Sequence, residues 1–191
     1  MSTEISKAQD VVIASSIMRP SSAESASAGG VFTVVCHDKD GNLKWQDVFH
    51  NLVVNEGLQD MNDKYFSGSG YTAAWYLGLI TGPGAGNTYA AADTLASHAG
   101  WTENTAYSGN RVAVTFGTAT TADPSVITNS ASPSTFTMTS NGQTIAGAFL
   151  TSVNSGTSGV LFSANNFSGG DKSVDSGDTL SVTYTFSLAA A

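Results

Sequence analysis

The clearest pattern of hydrophobic and polar positions lies at the C-terminal end of the chain. From residue 179 to residue 188 apolar side chains alternate with Ser and Thr without a break, the apolar ones being Leu180, Val182, Tyr184, Phe186 and Leu188. Successive side chains of a strand point to opposite faces, so this period of two predicts a half-buried antiparallel strand. The Ser176-Gly177-Asp178 sequence before it predicts a turn, with residues 172–174 as the partner strand of a hairpin.

Similar patterns recur along most of the chain. Residues 31–37 and 43–50 flank Asp40-Gly41, a favoured hairpin turn, and residues 144–151 and 160–164 flank the Gly- and Ser-rich loop 154–159. Residues 73–80 are apolar on both faces, which predicts a central or covered strand. Further strands are predicted at residues 111–118, 125–128 and 135–140. Eight or nine short strands separated by turns predict an all-β fold, a jelly-roll-like β-sandwich.

One segment has the period of a helix. Apolar or amide side chains recur at Leu58, Met61, Asn62, Tyr65 and Phe66, and Asn55 precedes them as a candidate N-cap. We therefore expect one short helix of roughly three turns that covers an open side or end of the sandwich. A shorter helical turn is expected at residues 94–99, capped by Asp93.

Residues 1–30 predict a flexible N-terminal arm that precedes a sandwich domain at residues 31–191. The arm ends in a Ser- and Ala-rich tract with too little apolar surface to offset the entropy of ordering it. Its candidate partner-binding residues are Val11, Val12, Ile13, Ile17, Met18 and Arg19. The alternative is a frayed terminus without a function.

Charge and cysteine content restrict the possible partners. The formal net charge is −8, and the seven Lys and Arg residues are scattered singly, which argues against nucleic acid as a partner. The single cysteine, Cys36, excludes an intrachain disulfide and favours folding in a reducing cytoplasm. The apolar run at residues 11–14 is too short and too interrupted for a signal peptide, and no stretch predicts a membrane span. Between residues 65 and 170 the chain is almost uncharged, as expected of a protein packed against neighbours.

No constellation of residues predicts a catalytic, cofactor or metal site. The three histidines, His37, His50 and His98, are too separated to suggest a metal centre. Cys36 and His37 are consecutive in a strand and point to opposite faces, so they cannot form a catalytic pair. The glycines of residues 81–87 lack the Gly-Lys-Ser/Thr ending of a phosphate-binding loop. We expect no enzymatic activity and no cofactor.

Four segments carry a resemblance to a known class of proteins. They are FHNLVVNEGL at residues 49–58, WYLGLI at 75–80, ADTLASHAGW at 92–101 and GGDKSVDSGDTL at 169–180. Together they resemble small virion proteins of tailed bacteriophages over residues 31–188. The resemblance implies a decoration or cement protein that is made in the host cytoplasm, binds the outside of the phage head and stabilises the shell. Its implied partners are the major capsid protein and further copies of the same chain.

Two other functions stay open at this point. A tail-associated receptor- or glycan-binding module would use exposed aromatic side chains as stacking platforms, and the candidates are Trp75, Tyr76, Trp101 and Tyr107. Core packing explains the same residues better, because a small sandwich more often buries its aromatic side chains. A hydrolase is the third alternative, but the sequence supplies no nucleophile motif for it.

Overall fold

The computed structural model describes residues 25–70 and 74–190 of the chain. The predicted arm therefore lies outside the described residues, apart from its last six positions. The described ranges contain one α-helix, α1 (Asn55–Phe66), and one 3-10 turn at Gly84–Gly86. The strands are β1 (Ala26–His37), β2 (Leu43–His50), β3 (Leu52–Val53), β4 (Tyr76–Thr81), β5 (Glu103–Asn104), β6 (Val112–Ala113), β7 (Ser125–Thr128), β8 (Ser134–Thr137), β9 (Gln143–Thr151), β10 (Leu161–Asn166), β11 (Lys172–Val174) and β12 (Thr179–Ala190).

The strands form two antiparallel sheets, which confirms the predicted all-β sandwich. The first sheet has the order β2-β1-β12-β7, and β8 also pairs with β12. The second has the order β3-β10-β9-β4-β5, with β11 on β9 and β6 on β4. The predicted hairpins β1–β2 and β9–β10 are both present.

Two clusters of buried apolar side chains form the hydrophobic core of the sheets. The larger cluster lies between the sheets and contains the inward side chains of β1 and β12, such as Phe32, Val34, Val182 and Tyr184. The smaller cluster lies around Phe149, where Leu95 and Trp101 pack against the second sheet. Because side chains of β4 and β9 enter both clusters, these strands are apolar on both faces, as the sequence of β4 predicts.

A single side chain completes the first sheet between β7 and β8. β7 pairs with β12 as far as Thr185, and β8 pairs with it from Val182 onward. Asn129 lies in the gap between these strands and is fully buried. Its Oδ1 accepts a hydrogen bond from the Tyr184 backbone N–H at 2.7 Å, and its Nδ2 donates to the Val182 carbonyl at 3.2 Å. The amide thus takes the place of the missing strand residues.

The predicted C-terminal hairpin is not formed. β11 pairs with β9 of the second sheet, whereas β12 pairs with β1 of the first. The turn between them therefore carries the chain from one sheet to the other. Buried Asp178 holds this crossing, because its carboxylate accepts the Asp175 backbone N–H at 2.8 Å and binds Lys44 Nζ at 2.6 Å. The alternation within β12 is as predicted except at Leu188, which is 38 % exposed.

Residues 111–118 also differ from the prediction, because only Val112–Ala113 forms a strand. After pairing with β4 the chain leaves the second sheet, and the Gly117 backbone N–H donates to the Thr128 carbonyl of the first sheet. The segment therefore bridges the open side of the sandwich. The apolar residues of this segment alternate as in a strand, because Val114 and Phe116 both pack against the core between the two sheets.

The helix is present, but its start and its exposed face differ from the expectation. The N-cap position is Val54 rather than Asn55, which is the first helical residue. The first turn is held against the second sheet: Gly57 packs so closely that a Cβ there would lie 2.7 Å from the Phe162 carbonyl oxygen. At the other end, Tyr65 and Phe66 are 83 % and 79 % exposed. Only the N-terminal half of the helix therefore covers the sandwich closely.

Two smaller local predictions also fail. Residues 94–99 form a tight turn instead of a helical turn, with reciprocal backbone hydrogen bonds between Thr94 and Ser97. Asp93 does not cap it, because its carboxylate accepts the Ala90 backbone N–H. The buried Leu95 N–H donates to Glu56 of the helix instead.

At the N-terminal side, β1 begins at Ala26, five residues before the predicted start of the domain, because Ala26 pairs with Ala190.

Candidate protein-binding surfaces

The predicted partner-binding residues Val11, Val12, Ile13, Ile17, Met18 and Arg19 lie outside the described residues. The structure neither places them together nor separates them.

Cys36 and His98 occupy structural positions. Cys36 is fully buried between the sheets, and burial together with the nearby Asp178 raises the pKa of its thiol to about 11. A thiol in that environment is a poor nucleophile. The His98 ring stacks on Trp101 with centroids 3.8 Å apart. Across residues 25–70 and 74–190, no three His, Cys, Asp or Glu side chains form a group that could hold a metal ion.

A partly buried ion pair next to the loop 154–159 has a structural explanation. Arg111 binds both carboxylate oxygens of Glu103, at 2.8 and 2.7 Å, and also donates to the carbonyls of Val153 and Gly156. These contacts satisfy the guanidinium and fix the loop to the edge of the second sheet. Close to this pair, burial raises the pKa of the Tyr107 hydroxyl.

The aromatic residues suggested as stacking platforms do not share one exposed surface. Trp101 and Tyr107 are only 4 % and 5 % exposed and belong to the two apolar clusters. Trp75 packs edge-on against Phe162, with centroids 5.3 Å apart. Tyr107 lines a small cleft beside Arg111, whereas Trp75 lines a much larger concave surface of the described structure.

That concave surface is a large apolar groove with a volume of about 1210 Å³. We name it the helix groove, because one wall is the C-terminal half of α1 and the other is the bridging segment at residues 114–116. The floor is formed by core side chains of both sheets, and Ala26 and Leu188 lie at its edge. The lining residues are Ala26, Asp60, Met61, Asn62, Lys64, Tyr65, Phe66, Trp75, Val114, Thr115, Phe116, Ile127, Leu150, Phe162, Tyr184, Phe186 and Leu188.

The helix groove has the character of a binding site for an apolar chain. Its rim carries Tyr65 and Phe66, whose rings contact each other edge to face at 4.9 Å while most of their surface is exposed. The two charged residues in the lining, Asp60 and Lys64, lie 4.0 Å apart on the helix and partly neutralise each other. The sequence signal for this site was the helical period, which places Tyr65 and Phe66 on the apolar side of α1 but does not show that they stay uncovered.

A second surface is the outer face of the first sheet, which consists of the strand residues that point away from the core. Strand pairing brings these side chains into rows across the sheet, for example Val48, Thr33 and Thr183. The outer face contains Val31, Thr33, Val35, His37, Gln46, Val48, His50, Val126, Thr128, Thr135, Thr137, Thr179, Ser181, Thr183, Thr185 and Ser187.

None of the residues just named is Asp, Glu, Lys or Arg, although Lys44, at the end of β2, points to the same side of the sheet. The nearest charged neighbour on the same side of β2 is Lys44, which binds Asp175 and Asp178 at one end of the sheet. Hydroxyl groups on neighbouring strands contact each other, and Thr185 Oγ1 donates to Thr128 Oγ1 at 3.0 Å. From the almost uncharged stretch between residues 65 and 170, β7 and β8 contribute Val126, Thr128, Thr135 and Thr137 to this face, and β1, β2 and β12 contribute the other residues.

Within the described ranges, the single helix is neither long nor apolar enough to cross a membrane. Comparison of the chain with known proteins finds no matching family model, curated protein or solved structure.

Proposed function

We propose that this chain is a non-enzymatic structural protein of a tailed bacteriophage, which binds the outside of the head and stabilises the shell. Its partners are the major capsid protein and further copies of itself. The four virion-protein-like sequence segments support the setting. The observation that carries the binding role is the uncharged outer face of the first sheet.

An uncharged face suits protein binding because it avoids the main cost of forming an interface. Charged side chains are depleted from interface cores, since each buried charge must lose its water and find a partner. Thr and Val on the outer face can be covered with little such loss. Hydroxyl groups can also exchange hydrogen bonds with water for hydrogen bonds with a partner.

The size of the outer face fits a contact that is weak by itself. Four strands at ~4.8 Å spacing and about nine residues at ~3.4 Å rise cover roughly 600 Å². A standard interface buries about 800 Å² on each partner, so one such contact lies near the weak end of stable interfaces. On a shell, many such contacts act together, which raises the overall affinity without new chemistry.

Stabilisation then follows from a difference in affinity between two states of the shell. If the protein binds the expanded lattice more tightly than the precursor lattice, binding shifts the equilibrium towards the expanded form. This role requires only surface complementarity.

The experiment adds one charge to the centre of the outer face. Thr183→Lys places an ammonium group beside Thr33, whereas the control Thr157→Lys places the same charge in the exposed loop 154–159. Affinity is measured by co-sedimentation with empty expanded heads of the phage that encodes the chain. We expect Thr183→Lys to bind at least about tenfold more weakly than the control, which corresponds to ~1.4 kcal/mol.

Two results would overturn the proposal. Equal binding of the two lysine variants would exclude the outer face as the contact surface. Failure of the unmodified protein to bind heads, with binding to host cells or surface glycans instead, would favour a tail-associated receptor-binding role.

A further inference from the structure

We propose that the helix groove is filled by the chain's own apolar segment, defined as residues 11–18 (VVIASSIM). This inference does not depend on the role at the phage head, because it concerns a contact within one polypeptide. It assigns an intramolecular binding site to the groove and an occupant to that site.

The groove has the size and lining of a site that is normally covered. Pockets for drug-sized ligands have volumes of ~300 to 1,000 Å³, and this groove exceeds that range at about 1210 Å³. Large contiguous apolar surfaces are uncommon on soluble monomers and mark binding sites. The described residues leave Phe66 79 % exposed at the rim. Several apolar side chains are needed to cover such a surface.

The connection of the chain favours residues 11–18 as the occupant. Ala26, the first residue of β1, lines the groove, so the preceding chain starts at the groove itself. Residues 19–25 separate the apolar segment from Ala26, and an extended chain spans up to about 3.3–3.6 Å per residue. This Ser-rich spacer can therefore reach roughly 25 Å from Ala26. That distance spans several neighbouring strands, so the spacer allows the apolar segment to enter the groove.

The short spacer also makes a weak contact sufficient. A short flexible linker holds its segment at an effective concentration in the millimolar range. At about 1 mM, an intrinsic Kd of ~0.1 mM would fill the groove about nine-tenths of the time. A second copy of the chain at micromolar concentration would have to bind far more tightly to compete.

The absence of charge in the apolar segment also suits the apolar groove. Residues 11–18 contain no charged side chain, whereas Asp10 and Arg19 flank them on either side. The apolar segment can thus enter without burying an unpaired charge.

The first experiment measures exposure of the groove with the dye ANS, which binds accessible apolar surface. Deletion of residues 2–24 and the double substitution Ile13→Asp with Ile17→Asp should each raise dye fluorescence at least about threefold. The matched control Ser21→Asp with Ser22→Asp adds the same charge to the spacer and should leave fluorescence unchanged. Equal fluorescence of all four proteins would overturn the proposal.

The second experiment restores the contact in trans. A synthetic peptide of residues 9–20 should bind the deleted protein and return its dye fluorescence to the level of the full chain. Phe66→Ser in the deleted protein should weaken peptide binding at least about fivefold, whereas Leu43→Ser, at another exposed apolar residue on β2, should not. Equal peptide affinity for both variants would exclude the groove.

The molecular mass separates the chain's own segment from a neighbour's. Light scattering should give the same oligomeric state for the full and the deleted protein. If deletion converts an oligomer to monomers, the segment fills the groove of another copy and the intramolecular assignment is wrong. Neither experiment uses phage heads, so a failure here leaves the outcome of the capsid-binding assay independent.

Discussion

Asn129→Ala provides a direct test of how the first sheet is completed. In the folded protein the Asn129 amide holds the Tyr184 N–H and the Val182 carbonyl of β12, at 2.7 and 3.2 Å. The side chain is fully buried, so water has no access to replace it. Truncation to alanine leaves a buried donor and a buried acceptor without partners.

The expected cost follows from these two groups. An unsatisfied buried donor or acceptor costs about 1–3 kcal/mol, which gives ~2 to 6 kcal/mol for the pair. A typical domain has an unfolding free energy of only about 5–15 kcal/mol, so the loss is a large part of the total. Asn129→Asp should cost at least as much at neutral pH, because a carboxylate keeps the acceptor for Tyr184 but buries a charge and loses the donor to Val182.

Urea unfolding followed by tryptophan fluorescence measures the difference. Asn110→Ala is the matched control: Asn110 is exposed, and its removal should change the unfolding free energy by under about 0.5 kcal/mol. A cost below ~1 kcal/mol for Asn129→Ala would show that the sheet does not depend on this amide, and the reasoning would be wrong.

Four further predictions test the core, two ionisable groups and metal dependence. Phe186→Ala should cost ~3 to 5 kcal/mol in urea unfolding and Thr185→Ala well under half of that; the reverse order would contradict the register of β12. Burial alone would raise the pKa of Asp47, but hydrogen bonds from Ser168 and Gly169 and the nearby Lys172 lower the pKa below its usual value. The stability lost in Asp47→Asn should therefore shrink as pH falls through that lowered pKa. A constant loss between pH 7 and pH 3 would show that the Asp47 carboxylate does not stabilise the fold. Cys36 should resist thiol reagents at pH 8 until the protein unfolds, and EDTA should leave the Tm unchanged; rapid labelling or a fall of several degrees would contradict these two expectations.

Local periodicity predicted the strands but not all of their partners. The alternation of β12 is visible in the sequence because one face is buried and the other is not. The partner of β11 is not visible, because Ser176-Gly177-Asp178 has the same composition whether it closes a hairpin or crosses between sheets. The ion pair between buried Asp178 and Lys44 stabilises the crossing between sheets rather than a hairpin. Local sequence does not reveal this pair, because the two residues are distant along the chain.

The candidate surfaces show the same limit. The low charge of the chain is countable from the sequence, but the outer face appears only when pairing places residues of β1 and β12 side by side. The helix groove depends on the bridging segment at residues 114–116, where apolar alternation suggested a strand. The same alternation suits a chain that crosses the open side of a sandwich, so local sequence could not distinguish these structures.

The pairing of β1 with β12 has a consequence for how the chain folds during synthesis. Gly29 and Ser187, which are hydrogen bonded across this ladder, are 158 residues apart. β12 also holds β7 and β8 in the first sheet, so β12 must be synthesised before β1, β7 and β8 can join. Until then the β1–β2 hairpin lacks its sheet, and isolated hairpins are marginally stable. Folding of the first sheet is therefore expected to be slow and to start only when β12 has been synthesised, because its closing contacts are non-local.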